Sequence, residues 1–494
     1  MFGPMTFRFL NETRALAEPH SDGSPPSELW SYNLHYFDDL NAFDGEARRH
    51  WHIEAMANWI RDHPPGRGDA WAPYPTSLRV VNWIKWGLGG AALDGPTIQR
   101  LATQVRALRR RLEYHLLGNH LFANAKALVF AGLFFEGNEA DRWLDKGMTI
   151  FAQQMPEQIL RDGGQFERSP MYHALAFEDV LDLINVAAAF RGGVPEKWSS
   201  FVASWPALAQ RMRAWLSAMR HPDGEISFFN DAAIGIAPSP AELDRYADEV
   251  VGAPAPDSSE NGSVRHSHLP DSGYVRADAP GAALLIDVAP IGPDYLPGHA
   301  HADTLSFELS LLGQRVVVNG GTSRYGTGPE RDAERGTSAH STVIIDDENS
   351  SEVWAGFRVA RRARPMDLVV EVTAEDIQVS CAHDGYTRLR GKPVHRRTWR
   401  LRPGILRVED IVEGQYQSAA ARFHLHPLVE PTMDGSGTSG RLRLPGGKEV
   451  RWRTGGSARV EASHYAPEFG RRLPTRCLAL TLQGSAPAWM EFSW

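Results

Sequence analysis

The chain has almost no cysteine: Cys381 and Cys477 are the only two in 494 residues. That excludes a disulfide framework and any metal site built on thiolates. Excess positive charge is also missing. A formal net charge of −8 speaks against nucleic acid as a partner, because phosphate backbones are held by Lys and Arg. No apolar run reaches the roughly 18 residues that a membrane-spanning helix needs, so no membrane span is expected. The opening residues, Met1-Phe-Gly-Pro-Met-Thr-Phe-Arg-Phe-Leu10, hold no basic region followed by an apolar stretch and a small-residue cleavage site. As written, the sequence reads as cytoplasmic; a start lying further upstream would make it periplasmic or secreted.

What is present points to a large, two-part protein. The length exceeds that of one ordinary domain, and a hydrophobic content of 42% supplies large cores. Fifteen tryptophans and twelve tyrosines offer flat aromatic faces of the kind carbohydrate clefts use, although most aromatics belong to cores. Residues 1–45 read as an irregular lead-in. From 46 to 251 the pattern is helical, with apolar residues three and four apart in 50–61, 77–93, 97–117, 121–136, 140–156, 171–190 and 206–220. Gly-, Pro- and Asp-containing breaks separate these windows, as expected of antiparallel helices in a toroid or solenoid. Residues 252–268 read as a Pro/Gly/Ser-rich linker. From 269 to 494, about a dozen short alternating segments without intervening helices predict an antiparallel β-sandwich.

The most informative stretch is Gly298-His-Ala-His-Ala-Asp-Thr-Leu-Ser-Phe-Glu-Leu-Ser-Leu311. Its alternation puts Leu305, Phe307, Leu309 and Leu311 on one strand face and Ser306, Glu308 and Ser310 on the other. Extended backwards, the alternation places His299, His301 and Asp303 together. Such a stack is costly unless it is hydrogen-bonded, metal-bound or used in chemistry. Asn319 and His340 follow on the next strands, so a zinc-type site fits, and so does a satisfied core histidine with a second one at the surface.

Other candidates lie on either side. Asn119 and His120 open a helix after Gly118, where Asn119 could serve only as a cap. Ser169-Pro-Met-Tyr-His173 reads as the cap and first turn of another helix, with Tyr172 at its rim. Ser323–Gly336 is a glycine-rich loop carrying Arg324, Tyr325, Arg331 and Arg335, with Trp354, Arg358, Arg361 and Arg362 shortly after. This run of Arg could bind carboxylates or sulfates, or pair with Glu330, Asp332 and Glu334 in a solvated loop.

Taken in order, Asn119-His120, Ser169-Pro-Met-Tyr-His173, Gly298-His-Ala-His-Ala-Asp303, Asn319-Gly-Gly-Thr322 and Ala339-His-Ser-Thr-Val343 resemble the motifs of the heparinase II/III-like polysaccharide lyases. The resemblance covers nearly the whole chain. It implies an (α/α) toroid followed by an antiparallel β-sandwich, and β-elimination at a uronic acid. By resemblance, Asn119 and His120 neutralise the substrate carboxylate, Tyr172 is the base that also serves as acid, and His299 is a second catalytic histidine. The family's structural zinc maps onto His301, Asn319 and His340. Asn319 replaces the usual Asp and is a weaker zinc ligand, so Asp303 substitutes or hydrogen bonds hold the site instead. Candidate substrate contacts are Arg79, Glu167, Arg324, Tyr325, Arg335 and Arg358. The expected partner is an acidic polysaccharide or oligosaccharide, and no feature of the sequence sets the oligomeric state.

Two other readings remain. One is a glycoside hydrolase on a similar toroid, with Glu167 and Asp231 as acid and base. The other is a non-catalytic polysaccharide-binding factor in surface-polysaccharide production.

Overall fold

The computed structural model describes residues 1–16, 25–190, 192–254 and 264–494. They pack as two compact units, Met1–Gln158 with Glu178–Ala209, and Ile159–Phe177 with Gln210–Trp494. Helices come first along the chain and antiparallel strands second.

The first unit contains α1 (Glu28–Leu34), α2 (Arg49–Asp62), α3 (Pro73–Leu88), α4 (Gly95–Arg109), α5 (Gly118–Phe134) and α6 (Asn138–Gln158). It also takes the later part of α7 (Pro170–Ala189) and the earlier part of α8 (Glu196–Ala218). Each apolar-periodic window falls on one of these helices, although α4 stops at Arg109 and α8 starts at Glu196. The α5 helix is buried along almost its whole length. Gly132 lets α6 lie against it, since a Cβ there would stand 2.5 Å from the Leu144 backbone nitrogen. Lys126 is buried on α5 and keeps its charge because Asp179 and Asp182 both lie 2.6 Å away. The lead-in is more ordered than its composition suggests: Thr6–Phe9 pairs with Glu12–Ala15 as a hairpin.

The second unit adds α9 (Pro240–Val251), whose capping box joins Ser239 and Glu242, and α10 (Pro329–Arg335). Of the stretch read as a linker, 255–263 lie outside the described residues, and Arg265–Leu269 is a strand. That strand begins a five-stranded meander with Tyr274–Ala279, Ala282–Asp287, Phe307–Leu311 and Gln314–Val317. An eight-stranded sheet and a four-stranded sheet complete the β part, and every pairing within these three sheets is antiparallel. Leu284, Phe307, Trp399, Leu406, Phe423, Leu478 and Phe492 belong to one core cluster, so the three sheets close over shared apolar faces.

Two features of the sheets bear on the site. The polar face of Phe307–Leu311 is buried as well as the apolar one. Glu308 and Ser310 each hold a nitrogen of His221 at 2.8 Å. Deeper in the sandwich, Arg397 forks onto Asp410 at 2.7 and 3.0 Å, and His395 Nε2 meets the same carboxylate at 2.7 Å. His395 Nδ1 lies 3.2 Å from His383 Nε2, and His383 Nδ1 accepts the Gly385 N–H at 3.1 Å. The last bond fixes the proton of a neutral His383 on Nε2, so every polar atom along the chain from Gly385 to Asp410 is satisfied.

Candidate active site

Residues 298–306 are loop, contrary to the alternation read backwards from Leu305. Leu305 itself has φ +62°, in the left-handed region, and no strand runs through such a residue. His299, His301 and Asp303 therefore do not stack; each reaches a different partner.

His299 goes to Tyr172. Ser169 caps α7 as the sequence suggests, its Oγ accepting the Tyr172 N–H at 3.2 Å, and Pro170 occupies the first helical position. The Tyr172 ring lies on the His299 ring with centroids 3.9 Å apart and planes within 16°. Its hydroxyl meets the Tyr325 hydroxyl at 2.8 Å. His299 Nδ1 is hydrogen-bonded to Glu167 Oε2; the carboxylate's other oxygen accepts from Gln165 Nε2 at 3.2 Å. The imidazole is thus oriented by a buried carboxylate, leaving Nε2 for other work. Burial pushes both phenols well above their ordinary value, with Asp231 and Glu167 adding to the effect.

Asp231 ties these pieces together, and the sequence reading gave it only a role in the hydrolase alternative. Its backbone N–H donates to His299 O at 2.9 Å, and its carbonyl accepts from Ser169 Oγ. One residue therefore joins the cap of α7 to the His299 loop. Its carboxylate takes both Arg331 Nη atoms and, at 2.8 Å, His301 Nε2. Burial raises this carboxyl, yet Arg331 and His301 hold it below the usual carboxylate range.

His301 Nδ1 faces His340 Nε2 at 3.2 Å. Burial lowers His301 to about 4 and lowers His340 strongly, so both rings are neutral at pH 7. Asn319 completes the trio, but its Oδ1 accepts the Ser341 N–H at 3.0 Å and its Nδ2 points to Ser306 Oγ at 3.3 Å. Asp303 does not substitute: its carboxylate accepts the Asn230 N–H at 3.0 Å. These residues do not fit zinc. The site offers two neutral imidazoles and a committed amide where about four donors are needed. Its one neighbouring carboxylate, Asp231, is taken by Arg331, and Arg331 and Arg335 lower His301 by their charge. The His383–His395 pair repeats the same 3.2 Å spacing in a fully satisfied hydrogen-bond chain. Chelation is expected to leave the melting temperature unchanged, because only a ligand bound to the folded state stabilises it. Asn319→Asp, which supplies a carboxylate, is expected to gain zinc and become chelator-sensitive. A parent protein that loses several degrees in chelator and regains them with zinc would contradict the donor-set argument.

In the helical unit, Asn119 is not a cap: the N-cap of α5 is Leu117, at φ 58° and with no side-chain cap bond. The Asn119 amide instead acts on Tyr74, lowering a phenol that burial raises more strongly. The Tyr74 ring lies 4.6 Å from the His120 ring. His120 Nδ1 meets Glu113 Oε1 at 3.1 Å, an imidazole held by a carboxylate as His299 is. In the same unit Trp30, Tyr36, Trp71, Trp83 and Trp86 are buried, whereas Tyr74 is half-buried.

Several proposed substrate contacts are corrected. Arg79 is wholly buried, donating to Gln104 at 2.6 Å, the His35 carbonyl at 2.9 Å and the Ala70 carbonyl at 2.8 Å. It also stacks over Trp59 at 4.0 Å. Arg335 is equally buried, serving the carbonyls of Ala300, Trp354 and Arg358. Glu167 sits behind His299 and positions it. Arg324 is exposed and 3.5 Å from Glu330, the pairing the solvated-loop reading allowed. Arg358 remains exposed.

The fold is that of solved polysaccharide lyases, an (α/α) toroid followed by an antiparallel β-sandwich. A structure described as heparinase III superposes with a TM-score of 0.74 at 18% identity, covering 96% of this chain and 80% of that one. The chondroitin AC lyase of Streptomyces coelicolor A3 superposes with a TM-score of 0.57 at 10% identity, covering 95% of this chain and 75% of that one. Family models described as "Heparinase II/III-like, C-terminal" and "Heparinase II/III N-terminus" match residues 262–494 and 98–245. The chain belongs to the heparinase II/III-like family. The heparin-sulfate lyase of Bacteroides stercoris is 26% identical over 254 residues, 48% of this chain and 37% of that protein. The heparin-sulfate lyase of Pedobacter heparinus is 24% identical over 337 residues, 62% of this chain and 49% of that protein. The chain thus spans half or less of the length of these relatives.

Proposed function

We propose that this protein is a polysaccharide lyase that cleaves a uronic-acid-containing acidic polysaccharide by β-elimination. The observation that carries the proposal is the Tyr172 hydroxyl held by Tyr325, on a ring stacked against a carboxylate-oriented His299. The reaction removes the proton on C5 of a uronate, forms the C4=C5 double bond from that electron pair, and breaks the C4–O4 bond. The same proton then goes to that O4 oxygen, which departs as the C1 hydroxyl of the leaving sugar. Tyr172 takes the C5 proton as phenolate and returns it as phenol. Burial disfavours that phenolate, so a partner must share its charge. The Tyr325 hydroxyl at 2.8 Å can donate to it, and the Arg331 guanidinium lies 5.1 Å from the Tyr325 ring centre. Asn119 and His120 take the carboxylate-neutralising role that the resemblance assigns them. Among the described residues no helix is long and apolar enough to cross a membrane.

The hydrolase reading is poorly supported. Asp231 is fully buried and committed to Arg331 and His301, so it has neither a proton to lend nor access to a sugar. Glu167 positions His299. On the lyase reading, Glu167→Gln keeps an acceptor for the imidazole but removes its charge, and is expected to lower kcat by about tenfold to a hundredfold. Steady-state assays of unsaturated product test this. Unchanged kcat would remove Glu167 from the mechanism, and complete loss with Tyr172→Phe still active would favour hydrolysis.

A further inference from the structure

Trp354 and Phe357 are 55% and 39% exposed on a short hairpin in which Val353–Trp354 pairs with Arg358–Val359. Two large aromatics thus face solvent from one short hairpin, whose backbone is held by several contacts. Its tip turns through Ala355 at φ +46° and Gly356 at φ +73°. A Cβ on Gly356 would stand 2.4 Å from Gly326 O, so the tip presses against the loop that carries Tyr325. Three of its carbonyls are held by buried guanidiniums: Gly356 by Arg331 at 3.1 Å, and Trp354 and Arg358 by Arg335 at 3.3 Å each. Phe357 connects the tip to two residues of the candidate site, its ring edge-on 5.3 Å from Tyr325 and 6.2 Å from His299. Nearby, Arg361 is paired with Glu352 and Arg362 with Asp294. Arg358 is exposed and makes no ion pair among the described residues.

We propose that this hairpin tip is a sugar-binding subsite contiguous with His299 and Tyr325. Trp354 and Phe357 take the apolar face of a pyranose ring, and Arg358 takes a carboxylate or sulfate on the same or the next residue. The inference rests on the elimination reading and names the element that selects its substrate. Aromatic faces suit the C–H-rich side of a sugar, a free guanidinium suits planar or tetrahedral oxyanions, and a backbone fixed in advance lowers the ordering cost of binding. The two buried arginines therefore act on the sugar only through the hairpin they brace.

The test uses the full chain carrying Tyr172→Phe, titrated calorimetrically with tetrasaccharides prepared from heparan sulfate, hyaluronan and alginate. Trp354→Ala, Phe357→Ala and Arg358→Ala are each expected to weaken binding of whichever probe binds by roughly tenfold, which corresponds to about 1.4 kcal/mol. In the Tyr172 background the same changes raise KM and leave kcat within about twofold, the pattern of binding shared by ground and transition states. Binding and KM unchanged in all three variants would overturn the subsite, as would the absence of binding by all three probes. If the parent makes no unsaturated product but binding still depends on Trp354, the subsite stands and the elimination reading falls. If product forms and the variants behave as the parent, the reverse holds.

Discussion

Tyr172→Phe is expected to lower formation of unsaturated uronate product by at least about a thousandfold, the upper range for removing a general acid–base group. The fold should survive. Phenylalanine keeps the ring that stacks on His299 at 3.9 Å and loses only the hydroxyl bonded to Tyr325, a cost of about 1 kcal/mol. Circular dichroism and the melting temperature separate the two effects. A further signature follows from the sign of the shift. Burial raises the Tyr172 phenol, and the base is the deprotonated form. The active fraction therefore grows with pH everywhere below that raised value. The logarithm of kcat/KM is expected to climb with a slope near one between about pH 6 and pH 8. A variant retaining a tenth of the parent rate, or a flat profile in the parent, would contradict the assignment.

The largest effect on stability is expected from Asp231→Asn. The carboxylate accepts two bonds from Arg331 and one from His301, and all three side chains are fully buried. The amide offers one acceptor and no charge, leaving a guanidinium unpaired in the interior. Breaking a buried pair from one side costs about 3–5 kcal/mol, and denaturant unfolding of the full chain reads this directly. Because the Asp231 backbone also links the α7 cap to the His299 carbonyl, activity is expected to fall with it. A loss below about 1 kcal/mol would mean that Arg331 finds another partner.

The helices, the strands and the order of the two parts were legible in the sequence because periodicity records which face is buried. The cap and first turn of α7 were legible too, since Ser169 and Pro170 act locally. What could not be read was determined at long range. The alternation around Leu305 looked like a continuous strand, and only the backbone shows a left-handed residue there. Arg79 and Arg335 looked like substrate contacts because a guanidinium suits a carboxylate or sulfate, but each is held by backbone carbonyls that no local pattern announces. The Arg397–Asp410–His395–His383 chain was invisible for the same reason, its members brought together by sheet pairing. Asn319 stands where the resemblance implies Asp, and in the structure its amide bonds Ser341 and Ser306.

The most direct test of elimination is to digest an acidic polysaccharide in heavy-oxygen water and weigh the products. Elimination adds no water across the broken bond, so the new chain ends are expected to carry an unsaturated uronate and no heavy oxygen. Saturated products with one heavy oxygen at each new reducing end would show hydrolysis and contradict the account.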